Sequence, residues 1–355
     1  MTKDLTFSHA LSKIKKLDLK EMLVTYTDES RVDPNALKSE IVETLSSLVP
    51  ENEKEKIIDT VFNTPNTRYT AYLAEVSSPI LISEEEIKSK FTTYNSNSTF
   101  KGFDFEKSDK QQLDFINQED KEYIFMFTRI TKSPHFDPGN MTSSLVSYQR
   151  KVRVVVNKDN NRVIIYTGDR NIFNSVLSAL TISLGIIFKS LDVNKAGISE
   201  NLRSSFTFDT VKFIDFIYNG LTRVGKISEV NQIKLETNNA KKSPQKVKVE
   251  GDMLLTDKNI CVYLYLRSRN IVGIKVDLIL EINEISYSIS CDIEIKDNRI
   301  KIGIRKDKYS IDDLKIFFGL IEDAFYDKIS SPGLIDEEKT RKYLNDIKIT
   351  AIKDN

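Results

Sequence analysis

The chain has 355 residues, with 52 Lys plus Arg against 52 Asp plus Glu, 40% hydrophobic and 9% aromatic residues. That length and apolar content support more than one folded core and exclude wholesale disorder, while the balanced charge excludes a global field drawing in nucleic acid. Two cysteines, Cys261 and Cys291, and two histidines, His9 and His135, exclude a disulfide framework and leave too few ligands for a Cys/His zinc site.

The first 65 residues carry helical periodicity. Leu11, Ile14 and Leu17 fall on one stripe of "SHALSKIKKLDLKEML". The next helix is expected to open with Asp33 as N-cap and Pro34 at its first position, burying Leu37, Ile41, Leu45 and Leu48. Ile57, Ile58, Val61 and Phe62 continue the pattern, so the segment reads as a small helical bundle. The period changes after "NTPNTR": 69–76 alternates like a strand, and 94–112 is polar and rich in turn formers, an extended loop. "EYIFMFTRI" opens a mainly β region, and "SPHFDPGN" at 133–140 reads as a surface loop in which His135 and Asp137 could pair as acid and base.

One turn grammar occurs twice. "VRVVV" turns through "NKDNN" and returns as "RVIIY" into a helix bearing Phe173, Val176, Leu177, Leu180 and Leu184, started by Asp169 or Asn171. "SISCDIEI" turns through "KDN" and returns as "RIKIGI" into a helix bearing Leu314, Phe317, Phe318, Ile321 and Phe325. Its start is Ser310 with Asp313 three residues on. Asp and Asn suit both turns because their side chains bond local backbone and tolerate left-handed φ. Between the copies, "DTVKFIDFIYNGL" is a helix capped by Asp209 with Phe213, Ile214, Ile217 and Tyr218 buried. The Lys-rich 236–252 is a surface loop or protruding hairpin, and "NICVYLYL", which contains Cys261, and "GIKVDLILEI" read as strands ahead of the second copy. The fold class is therefore α+β: a helical bundle (1–66), a first sheet-plus-helix unit (67–191), a helical connection with the Lys-rich loop (192–252) and a second sheet-plus-helix unit (253–355).

No phosphate-cradling glycine loop occurs, nor a "GxSxG" or "HExxH" motif. One catalytic pattern survives, Asp277 followed by Glu294 and Lys296, whose D…ExK spacing suits a Mg²⁺-dependent nuclease; no other cofactor is expected. Strict alternation of Asp292, Glu294 and Lys296 with Cys291, Ile293 and Ile295 explains the same residues as a half-buried strand. Basic groups gather around the first hairpin (Arg150, Lys151, Arg153, Arg162), in the middle loop (Lys241, Lys242, Lys246, Lys248) and after the second hairpin (Lys301, Arg305, Lys306, Lys308). Such groups contact phosphates or, more commonly, solvate and protect strand edges. Tyr148, Tyr166, Tyr263, Tyr265 and Tyr287 lie beside them, placed for base stacking or cross-strand packing.

In layout, "KLDLKEMLVTY", "ALKSEIVETLSSL", "EKIIDTVF" and "YQRKVRVVVNKDNNRVIIYTGDRNIFNSVLSAL" resemble the centromere protein N family over about half of the chain. The resemblance implies a non-catalytic adaptor that binds nucleosomal DNA and partner proteins. The expectation is thus a nucleic-acid-binding or adaptor protein, with a metal-dependent nuclease or a purely protein-binding subunit of a defence or chromosome complex as alternatives. The apolar stretch 175–188 is too short and too rich in Ser and Thr to span a bilayer, and the N-terminus lacks a secretory h-region. An intracellular protein, cytoplasmic or nuclear, is expected.

Overall fold

A computed structural model describes residues 2–27, 33, 35–63, 68–96, 111–119, 121–137, 142–194, 196–203, 205–236, 246–250, 256–296, 299–305 and 309–353. In chain order the elements are α1 (Thr2–Lys13), α2 (Lys16–Tyr26), α3 (Lys38–Leu48), α4 (Glu51–Asn63), β1 (Arg68–Val76), α5 (Glu84–Asn95), β2 (Gln111–Glu119), β3 (Glu122–Asp137), β4 (Thr142–Asn157), β5 (Arg162–Ile165), α6 (Arg170–Leu184), β6 (Phe188–Ser190), α7 (Glu200–Arg203) and α8 (Phe208–Asp215). A π-helical turn (Phe216–Leu221) follows, then α9 (Thr222–Val224), β7 (Lys226–Glu236), β8 (Lys246–Glu250), α10 (Lys258–Tyr265), β9 (Asn270–Ile282), β10 (Ile285–Lys296), β11 (Arg299–Arg305), α11 (Ile311–Ile329) and α12 (Glu337–Ile352). Helices and antiparallel strands make an α+β protein. They form two compact units interleaved in sequence, one from 1–66, 78–160 and 175–187, the other from 67–77, 161–174 and 188–355.

In the first unit, α1 to α4 enclose a core of Phe7, Leu11, Leu19, Leu23, Ile41, Leu45 and Ile58. Its sheet is β2–β3–β4, with β3 and β4 paired from Glu122↔Asn157 to Asp137↔Thr142. Bundle and sheet are tied together by polar and aromatic contacts. The Asn63 side chain accepts from the Lys151 N–H (2.6 Å) and donates to the Gln149 carbonyl (3.4 Å), while Phe62 stacks on Tyr148 at 3.8 Å. On β2, Asn95 of α5 donates to the Leu113 carbonyl (2.7 Å) and accepts its N–H (2.9 Å), so a side-chain amide sits where a further strand would add.

The second unit's sheet runs β5–β1–β11–β10–β9–β7–β8, with β6 also on β1. β1 reads as near-continuous apolar sequence because both its faces are covered: Phe318 of α11 lies against Tyr69 and Phe173 of α6 against Tyr72. Tyr326 of α11 adds a polar anchor. Its hydroxyl lies 2.5 Å from the Ala74 carbonyl and 2.9 Å from that of Val163, and accepts the Val163 N–H at 3.2 Å; burial pushes this phenol's pKa up. Tyr326→Phe is expected to cost about 1–2 kcal/mol by leaving those backbone groups unpaired, read as a lowered urea midpoint.

The second hairpin and its helix match the sequence reading closely. Ser310 caps α11 in a capping box with Asp313, and Leu314, Phe317, Phe318, Ile321 and Phe325 are all buried. The first copy repeats the element order of two long strands, a short strand and a helix, and the short strand of each copy, β5 and β11, pairs antiparallel with β1.

Several expectations need correction. The stripe through Leu17 breaks because α1 ends at Lys13 and Lys15 is extended, leaving Leu17 67% exposed. Asp33 accepts the Asn35 N–H in a local turn instead of capping, and α3 starts only at Lys38, where the Glu40 carboxylate accepts the Leu37 N–H. Residues 133–137 are strand, not loop; among the described residues β2 reaches β3 only as far as Arg129, which leaves Pro134 paired with β4 alone. "NICVYLYL" is helix α10. Its apolar composition suits a strand, but the Asp257 carboxylate accepts the Asn259 and Ile260 N–H groups and nucleates a turn that buries Ile260, Cys261 and Leu264. The cap of α8 is Thr207 rather than Asp209. Of the two readings of 236–252, loop or hairpin, the hairpin holds for its described part, since Lys246–Glu250 pairs antiparallel with β7. Most of the expected 94–112 loop lies outside the described residues.

Candidate functional site

The long β3–β4 hairpin places Arg129 directly across from Arg150. Directly opposed residues share a face with Cβ atoms about 5 Å apart, and like charges in that arrangement repel. Both arginines are half-buried, and an Arg129 Nη1 donates to Ser175 Oγ at 3.4 Å. A planar guanidinium can donate two parallel N–H groups to one oxyanion, a geometry a lysine does not offer. A second opposed pair in the other unit, Arg68 and Arg305, shows how an anion relieves such a pair, since the Asp292 carboxylate binds Arg68.

The neighbouring bases on β4 are engaged by the chain itself. Lys151 binds Asp59 of α4 at 2.6 Å, and Arg153 lies 3.9 Å from Glu119 of β2. In the second unit Arg162 is clamped by Asp323 (2.5 Å) and Asp327 with its guanidinium over the Tyr326 ring, so it ties β5 to α11. Lys301 binds Glu294 at 2.8 Å, with Lys234 3.7 Å from the same carboxylate. Arg305 ends β11 and is exposed. The backbone of Lys246 and Lys248 lies on β8, while Lys241, Lys242, Lys306 and Lys308 lie outside the described residues.

The D…ExK residues are spread along the sheet. Asp277 pairs in register with Ser290 and Glu294 with Gly273, so the two carboxylates share a face but stand four residues apart, about 13 Å at strand rise. Lys296 pairs with Arg299. Asp277 accepts from Asn231 Nδ2 at 2.9 Å, and Glu294 is held by its two lysines. Among the described residues, no group of three or more His, Cys, Asp or Glu is placed to hold a metal ion.

The chain's only two histidines meet in the first unit: His9 Nδ1 on α1 and His135 Nδ1 on β3 are 3.2 Å apart, so one donates and the other accepts. His135 thus pairs with His9, and the side chain of Asp137 lies outside the described residues. Burial first, then the Lys13 and His135 charges, push the His9 pKa down to about 4. The tyrosines are packed internally: Tyr148 on Phe62, Tyr166 by Phe318, Tyr263 under Arg269, Tyr265 by Phe206 and Tyr287 by Phe317.

Sequence reading singled out Arg150 and passed over Arg129. Its only signal was register: the strands around 138–141 pair so that 129 meets 150, which a misplaced loop conceals. Among the described residues no helix is long and apolar enough to cross a membrane. No protein-family model and no curated protein matches the chain.

Proposed function

We propose that this protein is a non-enzymatic nucleic-acid-binding adaptor that grips a backbone phosphate between Arg129 and Arg150. The observation that carries the reading is their direct opposition on the β3–β4 hairpin, which sets two half-buried like charges on one face, where an anion is favoured. An adaptor role is also what the resemblance to the centromere protein N family implies. Lys151, Arg153, Arg162 and Lys301 meet carboxylates of their own chain. The nuclease alternative has no support in the register of Asp277 and Glu294.

Fluorescence anisotropy with labelled single-stranded DNA, duplex DNA and RNA tests the proposal. Arg129→Ala and Arg150→Ala are each expected to weaken binding about tenfold or more, the worth of charge-assisted hydrogen bonds. Lys151→Ala, whose ammonium is held by Asp59, is expected to stay within about twofold of the parent. Equal affinities for the parent and both arginine variants would overturn the reading.

A further inference from the structure

In the second unit two backbone irregularities face one space. The helix begun by α8 widens into the π-turn Phe216–Leu221, and β7 starts with register shifts against β9 at Ile227/Glu229 and Val230/Gln232. π-turns and β-bulges are both concentrated beside functional sites, where the added residue re-aims side chains. Between them lies an open cavity of about 560 Å³. That volume falls within the range of small-molecule sites. Gly225, at the junction, has no room for a side chain: a Cβ there would stand 2.5 Å from the Ile279 carbonyl oxygen. That close approach of the backbone at Gly225 to Ile279 borders the cavity.

The lining dictates the occupant. Ile217, Ile227, Val230 and the ring of Tyr218 supply an apolar wall, and Tyr218 is itself braced by stacking on Tyr343 at 3.8 Å. Burial is the first cause holding the Tyr218 phenol up at about 12, so it stays uncharged. Lys226 and Glu229 both border the cavity, with opposite formal charges. Three aliphatic hydroxyls line the cavity, those of Thr222, Ser228 and Thr256, and two have their protons committed to the protein, Thr222 Oγ1 donating to the Tyr218 carbonyl (2.7 Å) and Ser228 Oγ to the Asp277 carbonyl (3.0 Å). What Thr222 and Ser228 offer a ligand is lone pairs.

We propose that this cavity binds an uncharged small molecule with an aromatic or alicyclic body and an O–H or N–H donor. The site is separate from the arginine pair, which belongs to the other unit. Its test uses the full chain titrated with 2-naphthol, which has the body and the donor, and with 2-methoxynaphthalene, which has the body alone, by ligand-observed NMR. Saturable binding of 2-naphthol is expected, with the methyl ether about tenfold weaker, the worth of one good hydrogen bond. Val230→Trp fills the cavity and is expected to abolish 2-naphthol binding; because the chain has no other tryptophan, its emission reports whether the variant is folded. Should it fail to fold, the exposed pair Thr222→Val with Ser228→Ala keeps the test open and is expected to bring the two ligands to equal affinity. No saturable binding, equal affinities in the parent, or a preference unchanged in the double variant would each overturn the proposal.

Discussion

Asp215→Ala is expected to destabilise the second unit by about 3–5 kcal/mol, the scale for removing one partner of a buried charged network. Asp215 is 1% exposed, and its carboxylate is the hub for four donors. Asn219 Nδ2 (2.9 Å), Thr340 Oγ1 (2.8 Å) and the Asp336 N–H (3.3 Å) reach one oxygen, and the Ile335 N–H (2.7 Å) reaches the other. The bonds join α8 and the π-turn to the start of α12, where backbone N–H groups also favour a negative charge. Alanine strands the Thr340 hydroxyl and the Ile335 and Asp336 N–H groups, while Asn219 Nδ2 keeps Thr340 Oγ1 at 2.9 Å. Asp215→Asn is expected to be only partly better, because its amide NH₂ would face N–H donors on one side. Urea unfolding followed by far-UV circular dichroism reads the loss, and a cost below about 1 kcal/mol for alanine would contradict the hub role.

The second large effect is acid sensitivity in the first unit. The folded pKa of His9, about 4, lies below the ordinary 6.5, so the unfolded chain binds this proton more readily. Its contribution is complete above pH 6.5 and is lost as pH falls from 6.5 towards 4, up to about 3 kcal/mol. The groups around it oppose protonation: Lys13 on its own helix and His135 on β3 are the charges facing it, and Phe62 of α4 stacks on the ring without accepting a proton. His9→Gln removes the titration but keeps a polar side chain. The stability gap between parent and variant is therefore expected to shrink on going from pH 7 to pH 4.5. Parallel stability curves across that window would show that His9 does not titrate as its surroundings dictate.

What was legible in the sequence was local chemistry confirmed by several neighbours at once. α11 is the clearest case, since Ser310, Asp313 and five periodic apolar residues all indicate one helix. α10 was misread because its residues favour strand, while the deciding group, Asp257, lies just outside the run. The π-turn has no period of its own to read, and the polar network that pins α12 joins residues more than a hundred positions apart. The site was half legible. Arg150 stands out in a basic hairpin, but its partnership with Arg129 depends on pairing register, and the neutralisation of Arg162 by Asp323 and Asp327 depends on where α11 lands.

Salt dependence tests the phosphate-binding claim most directly, because counterion release counts the contacts. The affinity of the parent for duplex DNA should fall with added salt, and Arg150→Ala should reduce the slope of log affinity against log salt by about 1, the signature of one lost phosphate contact. Identical slopes for parent and variant would show that no phosphate sits between Arg129 and Arg150.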